Sequence, residues 1–271
     1  MGNKMRNMVL ENRLQDVLNH GGHVWVIGDV HGHYQTFISL IEQLELRNED
    51  CIVLLGDLID RGPQSFGVVD TVVKDERMMS LKGNHEVMMI EQFTKEKLNK
   101  MDMDFMLWLR NGGVETIDSY IRGCCGVEAT SMDDDGYHRL DQHIKIIESW
   151  PTEIVLNDWR LVHAGYHPEV HVDQQNDEDL LWIRSIFHRT SKPIDDLRTI
   201  VFGHTPTACL PNFNDSDWGK VWYHGVKLRD GRASAIGIDT CLYHGHEAPS
   251  VLTAFDLQTQ SIVQQHRVEP S

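Results

Sequence analysis

The sequence has few cysteines and no long apolar run. Its five cysteines are an odd number scattered over 271 residues, which does not fit a disulfide framework and favours a reducing compartment. No stretch approaches the apolar length that a membrane-spanning helix needs, and residues 1–22 lack the continuous apolar core of a signal peptide. We therefore expect a cytoplasmic protein that has no membrane partner.

Basic residues are also scarce relative to acidic ones. The chain has 25 lysines and arginines against 41 aspartates and glutamates, which gives a formal net charge of -16. Sequence-independent binding of nucleic acid or of an anionic membrane needs a basic surface, so we expect neither partner. An anionic substrate would need a local positive charge, which bound divalent cations can supply.

No segment rich in proline, glycine and serine divides the chain, so we predict a single domain over residues 1–271. Apolar residues at helical spacing predict an N-terminal helix within residues 1–22, ending at Gly21 and Gly22. Between about residues 91 and 150 the pattern loosens into polar helical fragments. We predict that this part is a helical flanking region or cap.

Three successive β-α units are predicted in the first third of the chain. Each has a short apolar strand, a polar loop and an amphipathic helix, and the strands are predicted at 23–27, 52–55 and 78–81. Repeated β-α units form a parallel sheet with right-handed crossovers, so all three loops emerge at one edge. That edge is where open α/β sheets bind ligands.

The sequence after Pro151 is richer in strands. Strands are predicted at 153–156 and 159–162, joined by a two-residue turn at Asn157 and Asp158, and then at 199–202, 233–238 and 251–255. We expect these strands to complete a second, mainly antiparallel sheet. The predicted architecture is two sheets with helices outside.

Six potential metal ligands follow the ends of predicted strands. Carboxylate, imidazole and amide donors suit Mn²⁺, Fe or Zn²⁺ rather than a soft-metal or iron–sulfur site. Six donors are too many for one ion that also keeps a water, but two ions that share one carboxylate would use them all. Asp57, on the central one of the first three loops, is the expected bridge. The six ligands are Asp29, His31, Asp57, Asn84, His163 and His204.

Several short motifs resemble those of the phosphoprotein phosphatase branch of the calcineurin-like metallophosphoesterases. They are GDVHG at 28–32, GDLIDRG at 56–62, GNHE at 83–86, HAG at 163–165 and FGHTP at 202–206. LLWIR at 180–184 resembles the segment that carries the second phosphate-binding arginine of that family. In length and motif order the chain is similar to the small bacterial and bacteriophage members. Each motif is weak alone, but the set is specific.

The resemblance implies an α/β (α+β) fold, a β-sandwich of two mixed sheets flanked by helices, with a dinuclear metal site at the C-terminal ends of strands. The first ion would be held by Asp29, His31 and Asp57, and the second by Asp57 and the other three ligands. The family implies two divalent ions, with Mn²⁺ expected and Fe or Zn²⁺ as alternatives. A hydroxide that bridges the ions would attack phosphorus directly.

Four further residues receive roles from the resemblance. Arg61 and Arg184 would bind phosphate oxygens through their planar, permanently charged guanidinium groups. His85 would donate a proton to the departing alkoxide. Asp60 would orient the imidazole of His85 and favour its protonated form.

The implied function is a metal-dependent phosphomonoesterase that hydrolyses phosphoserine and phosphothreonine in a protein or peptide substrate. Symmetric dinucleoside tetraphosphate hydrolases are the alternative enzyme class, since they resemble these phosphatases in fold and metals. That branch departs at the second acid of GDxxDRG and reads GNHD, whereas this chain keeps Asp60 and Glu86. A non-catalytic metal-binding scaffold would require a lost ligand or acid, and none is lost.

One position departs from the family's pattern. The family reads IDTG where this chain reads IDTC at residues 238–241. A left-handed backbone at Cys241 would be strained, because cysteine has a Cβ atom that glycine lacks. A thiol near the site could bind a metal or become oxidised, but packing is the role that we expect for it.

Overall fold

The alternation of side chains along two neighbouring strands divides the apolar residues between two cores. In β1 (Val24–Ile27), Val24 and Val26 join one buried cluster while Trp25 and Ile27 join another, and all four residues are buried. β2 (Cys51–Leu54) is divided in the same way. Both faces of this sheet are therefore covered, which is why these strands are apolar without interruption.

The computed structural model describes residues 6–94, 103–243 and 249–269. Residues 1–5 and 95–102, which fall in the predicted N-terminal helix and helical flanking region, lie outside the described residues. The first sheet has the strand order β10-β9-β1-β2-β3. Its other strands are β3 (Met78–Ser80), β9 (Val251–Asp256) and β10 (Ile262–His266).

The second sheet has the strand order β4-β5-β6-β8-β7. One core lies between the two sheets, and it contains Val26 and Val53 from the first sheet together with Leu161 and Val201 from the second. The strands of the second sheet are β4 (Glu153–Val155), β5 (Trp159–Val162), β6 (Thr199–Phe202), β7 (Trp222–Tyr223) and β8 (Ala235–Gly237).

Helices cover the outer faces of the two sheets. Helices α2, α3, α4, α6 and α7 contribute to the core on the first sheet, and α8 and α9 to the core on the second. None of the helices within the described ranges is long and apolar enough to cross a membrane. The helices are α1 (Met8–Asn19), α2 (Tyr34–Gln43), α3 (Ser65–Lys74), α4 (Asn84–Thr94), α5 (Met103–Trp108), α6 (Val114–Cys125), α7 (Asp134–Glu148), α8 (Asp177–Trp182) and α9 (Ser185–His188).

The predicted fold class, two mixed sheets flanked by helices, is confirmed, and β1, β2 and β3 are parallel as expected. The two-residue turn is also present, since β4 and β5 are antiparallel and the Leu156 N–H donates to the Trp159 carbonyl at 2.9 Å. The prediction that the second sheet is mainly antiparallel was wrong, because β5, β6 and β8 run parallel.

The prediction also assigned residues 251–255 to the wrong sheet, since β9 pairs antiparallel with β1 in the first sheet. Short apolar runs do not encode the direction in which a strand pairs. Long connections, such as the one that carries α8 and α9 between β5 and β6, permit parallel pairing. The consequence is functional, because each sheet now contributes parallel strands whose C-terminal ends carry polar loops.

Candidate active site

Five polar residues in the loops at the strand ends have a left-handed backbone. The φ angles are 44° at His31, 51° at Asp57, 71° at Asp60, 68° at Arg61 and 61° at His204. Positive φ is uncommon for residues other than glycine, and such strain persists only where the surrounding structure fixes it. Its concentration in three loops that meet at one edge marks this edge as the candidate site.

Two glycines allow neighbouring loops to approach the carboxylates closely. A Cβ atom at Gly83 would lie 2.1 Å from Oδ1 of Asp57, and one at Gly203 would lie 2.2 Å from Oδ1 of Asp29. No larger residue fits at either position without moving the carboxylate. The glycines of the GNHE and FGHTP motifs therefore bring these loops against the acids of the first two motifs.

Asp57 lies between two histidines from different sheets. Its Oδ2 atom is 3.7 Å from Nε2 of His31, and its Oδ1 atom is 3.4 Å from Nε2 of His163. In each histidine Nδ1 is held by a backbone carbonyl at 2.9 Å, that of Ile59 for His31 and that of Leu55 for His163. These hydrogen bonds direct both Nε2 atoms toward Asp57, in the manner of metal-binding histidines.

Donor atoms within 4.8 Å of one another form two groups among the described residues, and Asp57 belongs to both of them. In the second group, Nε2 of His163 is 3.1 Å from Nδ1 of His204. The same Nε2 atom of His163 lies 2.9 Å from Oδ1 of Asn84. The groups are His31, Asp57 and His85, and Asp57, His163 and His204.

Asp29 is buried at the same edge but lies in neither of these groups. Both of its carboxylate oxygens accept the backbone N–H of His204 at 3.0 Å. Burial, followed by the charges of Asp239 and Asp57, raises the pKa of Asp29 well above its ordinary value. The first sheet's acid is thus tied to the second sheet's histidine loop.

The electrostatics of this edge fit a divalent cation. Burial lowers the pKa values of His31, His163 and His204, which keeps the imidazoles neutral with lone pairs available. Burial also raises the pKa of Asp239 to about 6. Within the described chain, Nε2 of His204 and Oδ2 of Asp239 have no hydrogen-bond partner. Neutral imidazoles beside crowded carboxylates are a donor set that Mn²⁺, Fe or Zn²⁺ would satisfy.

His85, a member of the first donor group, forms a buried pair with Asp60. Nδ1 of His85 is 2.6 Å from Oδ2 of Asp60, and both residues are almost completely buried. Burial lowers the pKa of His85, but the charge of Asp57 and the hydrogen bond and charge of Asp60 outweigh it, so the pKa is raised. This arrangement favours a protonated imidazole, as an acid catalyst needs.

Two arginines reach the edge from different elements. The Nη1 and Nη2 atoms of Arg61 lie 2.7 Å from Nε2 of His31 and 3.1 Å from Nε2 of His85. Arg184 lies on the other sheet's side, where its Nη1 atom donates to Oγ1 of Thr205 at 3.0 Å and to the carbonyl of His204 at 3.3 Å. Each arginine thus places a permanently charged, planar guanidinium group beside the histidines of this edge.

The model of the calcineurin-like phosphoesterase family matches residues 22–249, which is most of the chain. The chain belongs to this family. Similar solved structures include one that carries the provisional name diadenosine tetraphosphatase, with a TM-score of 0.57, 22% identity and coverage of 92% of this chain and 95% of that one. A metallophosphoesterase from Sphaerobacter thermophilus has a TM-score of 0.52 at 16% identity, with coverage of 91% and 88%. At these identities the likeness shows the fold.

Relatives of this phosphoesterase carry the names of two enzyme classes. Serine/threonine-protein phosphatase 2 of Escherichia coli is 38% identical over 96 residues, 35% of this chain and 40% of that protein. Its namesake in Salmonella typhimurium is 28% identical over 192 residues, 67% of this chain and 79% of that protein. The symmetrical bis(5'-nucleosyl)-tetraphosphatase of Wigglesworthia glossinidia brevipalpis is 32% identical over 108 residues, 35% and 40% of the two chains. The phosphoesterase thus spans less than half of the E. coli relative.

Glu86 is a site residue of the phosphoesterase that the ligand pattern did not assign. Its carboxylate accepts the backbone N–H groups of Asp57, Leu58 and Gly83, each at 2.8 Å. Burial and the charge of Asp57 raise its pKa to about 7. Glu86 thereby joins the second and third motif loops, a role signalled only by its place in GNHE.

Cys241 has the left-handed backbone that the comparison with IDTG anticipated, with φ at 70°. Its side chain is buried, and burial raises the pKa of the thiol to about 12. A thiol with so high a pKa is almost wholly protonated near neutral pH and is a poor nucleophile. Packing is therefore the role that its surroundings favour.

Proposed function

We propose that this phosphoesterase hydrolyses phosphoserine and phosphothreonine monoesters in proteins or peptides. The observation that carries the proposal is the 2.6 Å contact between His85 and Asp60, with the guanidinium of Arg61 beside it. An alkoxide is a poor leaving group, so its departure needs an acid at the leaving oxygen. His85 is the group that we assign to this task, with Asp60 as its orienting partner.

Two divalent ions fit the donor set, and we propose Mn²⁺ for both. Asp29, His31 and Asp57 would hold the first ion, and Asp57 would share the second with three further ligands. When bound, such ions polarise phosphoryl oxygens and lower the pKa of a coordinated water toward neutrality. The remaining ligands of the second ion are Asn84, His163 and His204.

The arginines would bind the phosphate group. Nη1 of Arg61 lies 2.7 Å from Nε2 of His31. Nε2 is the nitrogen whose lone pair a first ion would use. The guanidinium of Arg61 therefore lies beside a ligand of the first ion, where it would contact substrate oxygens. Arg184 would contact the same phosphate from the His204 side and hold it in line for attack.

Symmetric hydrolysis of dinucleoside tetraphosphates is the second candidate function. It is supported by relatives with that name, among them the 32%-identical Wigglesworthia protein. Retention of Asp60 and Glu86 favours the phosphatase. Asp60 supports the acid His85, and an alkoxide leaving group needs protonation more than a less basic nucleotide phosphate does. Initial rates on a phosphoserine peptide and on diadenosine tetraphosphate, measured with one Mn²⁺-loaded preparation, separate the two candidates.

The decisive variant is His85→Asn. We expect it to lower turnover of the phosphoserine peptide by about 10²- to 10⁴-fold, because the proton donor is lost. Its metal content, measured by elemental analysis, should equal that of the unmodified protein. His138→Asn is the control, because His138 is exposed on α7. Full activity of His85→Asn, or hydrolysis that survives removal of metal by a chelator, would contradict the proposal.

A further inference from the structure

Asp60 has partners beyond His85, and they come from the helical segment that follows α4. Nε1–H of Trp108, the last residue of α5, donates to Oδ2 of Asp60 at 3.0 Å. The hydroxyl of Thr116, in the first turn of α6, donates to Oδ1 at 2.6 Å. In return the backbone N–H of Asp60 donates to the Thr116 hydroxyl at 2.9 Å and to that of Ser65 at 3.1 Å.

These contacts fix the carboxylate from both sides. Asp60 and Trp108 are fully buried and Thr116 is 1% exposed, so no bulk water reaches the carboxylate. Oδ1 is occupied by Thr116, and Oδ2 is shared between Trp108 and Nδ1 of His85. Hydrogen bonds to a charged group are about twice as strong as neutral ones, and buried networks strengthen one another. The carboxylate therefore has one orientation, and that orientation faces His85.

The backbone between the two donors is irregular in a way that serves this contact. Residues Leu109–Gly113 form a kinked turn between α5 and α6, in which Gly112 has a non-helical backbone with a φ angle of 113°. The carbonyl of Gly112 accepts the backbone N–H of Arg61 at 3.3 Å. Here the turn brings the end of α5 and the start of α6 to the same carboxylate.

We propose that Trp108 and Thr116 are positioning residues for proton donation by His85. The proposal rests on the proposed role of His85 as the acid. In that step a hydroxide oxygen bonds to phosphorus as the P–O bond of the ester breaks. The electron pair of the broken bond stays on the leaving oxygen, and a proton moves from Nε2 of His85 to that oxygen to give the alcohol. A water molecule later returns the proton to Nε2. Trp108 and Thr116 act on this step through Asp60, without contact to the substrate.

The leaving group distinguishes positioning from simple packing. The leaving group of phosphoserine is the serine alkoxide, which needs the proton. The leaving group of p-nitrophenyl phosphate is a weakly basic phenoxide, which needs little protonation. Loss of packing would lower the rates on both substrates by the same factor. Loss of the correct imidazole orientation would lower the rate on phosphoserine selectively.

Three variants test this inference. Trp108→Phe keeps an aromatic ring and removes the N–H donor, and Thr116→Val keeps the shape of the side chain and removes the hydroxyl. We expect each to lower kcat/KM for a phosphoserine peptide by about 10- to 100-fold and that for p-nitrophenyl phosphate by about threefold or less. Thr116→Ser retains the donor and should restore the rate on the peptide.

Trp150→Phe is the matched control, since Trp150 is a buried tryptophan of the same core, whereas Trp108 is the tryptophan that donates a hydrogen bond to Asp60. It should lower both rates equally or not at all. If Trp108→Phe does not fold, the two Thr116 variants decide the question. Equal losses on both substrates, or no loss, would overturn the positioning proposal provided that His85→Asn shows the selective loss. If His85→Asn lacks the selective loss, the acid role of His85 fails, and the positioning proposal fails with it.

Discussion

The guanidinium carbon of Arg61 lies 4.0 Å from the centre of the Tyr243 ring, and that ring also meets His31 edge-on at a centroid distance of 4.8 Å. A guanidinium on an aromatic face is held by the ring quadrupole, with about 0.5–2 kcal/mol at stake. The terminal nitrogens of Arg61 then point toward His31 and His85. Tyr243 thus limits where the phosphate-binding group of Arg61 can move.

This contact predicts that Tyr243→Leu weakens phosphate binding more than Tyr243→Phe, which keeps the ring and removes only the hydroxyl. The inhibition constant of inorganic phosphate should rise by about 2- to 30-fold in the leucine variant, as expected for the loss of one cation–π contact. In an Arg61→Ala background the leucine substitution should have no further effect. A phenylalanine variant as impaired as the leucine variant would show that the hydroxyl, and not the ring, holds Arg61.

Asp57 offers its two oxygens to histidines on opposite sides, at 3.7 Å and 3.4 Å. Asp57→Asn removes the charge and halves the number of oxygen donors, so we expect a severe loss of affinity for both ions. Titration calorimetry with Mn²⁺ should detect two sites in the unmodified protein and no tight site in the variant. Asp29→Asn is the comparison, because it should weaken the first site alone. Retention of two ions by Asp57→Asn would contradict the shared-ligand assignment.

The meeting of the strand-end polar side chains at one edge could be predicted from the sequence because parallel strands place their C-terminal loops together, which requires only local patterns. Glu86 and Trp108 could not be assigned in this way. Glu86 acts on backbone N–H groups that lie 29 and 28 residues away in the sequence, and Trp108 meets an acid 48 residues away. No periodicity encodes such contacts, since they depend on how the loops pack after the sheet has formed.

Glu86→Gln should lower the free energy of unfolding of the protein. The carboxylate accepts three backbone donors, whereas a glutamine amide brings two N–H groups into the same buried space. Leaving buried donors unsatisfied costs about 1–3 kcal/mol each, so we expect a loss of about 2–4 kcal/mol in the free energy of unfolding. Urea denaturation measures it, with the exposed Glu91→Gln on α4 as the control. Equal stability of the two variants would refute the bracing role of Glu86.

Gly112 and Gly126 allow a matched comparison of two alanine substitutions. Both have left-handed backbone, with φ at 113° and 105°, so alanine is strained at either position. A Cβ atom at Gly112 would lie 2.3 Å from the backbone nitrogen of Arg61, whereas at Gly126 no atom lies within 4 Å. Gly126→Ala should cost about 1 kcal/mol of stability and leave kcat/KM unchanged. Gly112→Ala should cost more and lower kcat/KM for phosphomonoesters, because Arg61 must shift. Similar kinetics for both variants would rule out an effect of the kinked turn on Arg61.

A buried histidine remote from the metal-ligand set should make stability depend on pH. His143 is 1% exposed, and its Nδ1 atom lies 2.9 Å from the hydroxyl of Tyr120. Burial lowers its pKa to about 4, with the charge of Asp70 opposing the shift and those of Arg139 and Lys74 adding to it. In the unfolded chain the pKa of this histidine is about 6.5. Between that pH and about 4, the unfolded state binds a proton that the native state does not bind. The stabilisation from this group is present above pH 6.5 and is lost as the pH falls toward 4.

His143→Gln should flatten that pH dependence, because glutamine can still accept the Tyr120 hydroxyl but does not titrate. Lowering the pH from 7 to 4.5 should cost the unmodified protein about 2–3 kcal/mol more of unfolding free energy than it costs the variant. Urea denaturation at the two pH values measures this double difference, in which groups that titrate in both proteins cancel. His138→Gln, on the exposed face of the same helix, should keep the full dependence. If His143→Gln loses as much stability on acidification as the unmodified protein, His143 is not held neutral in the native state.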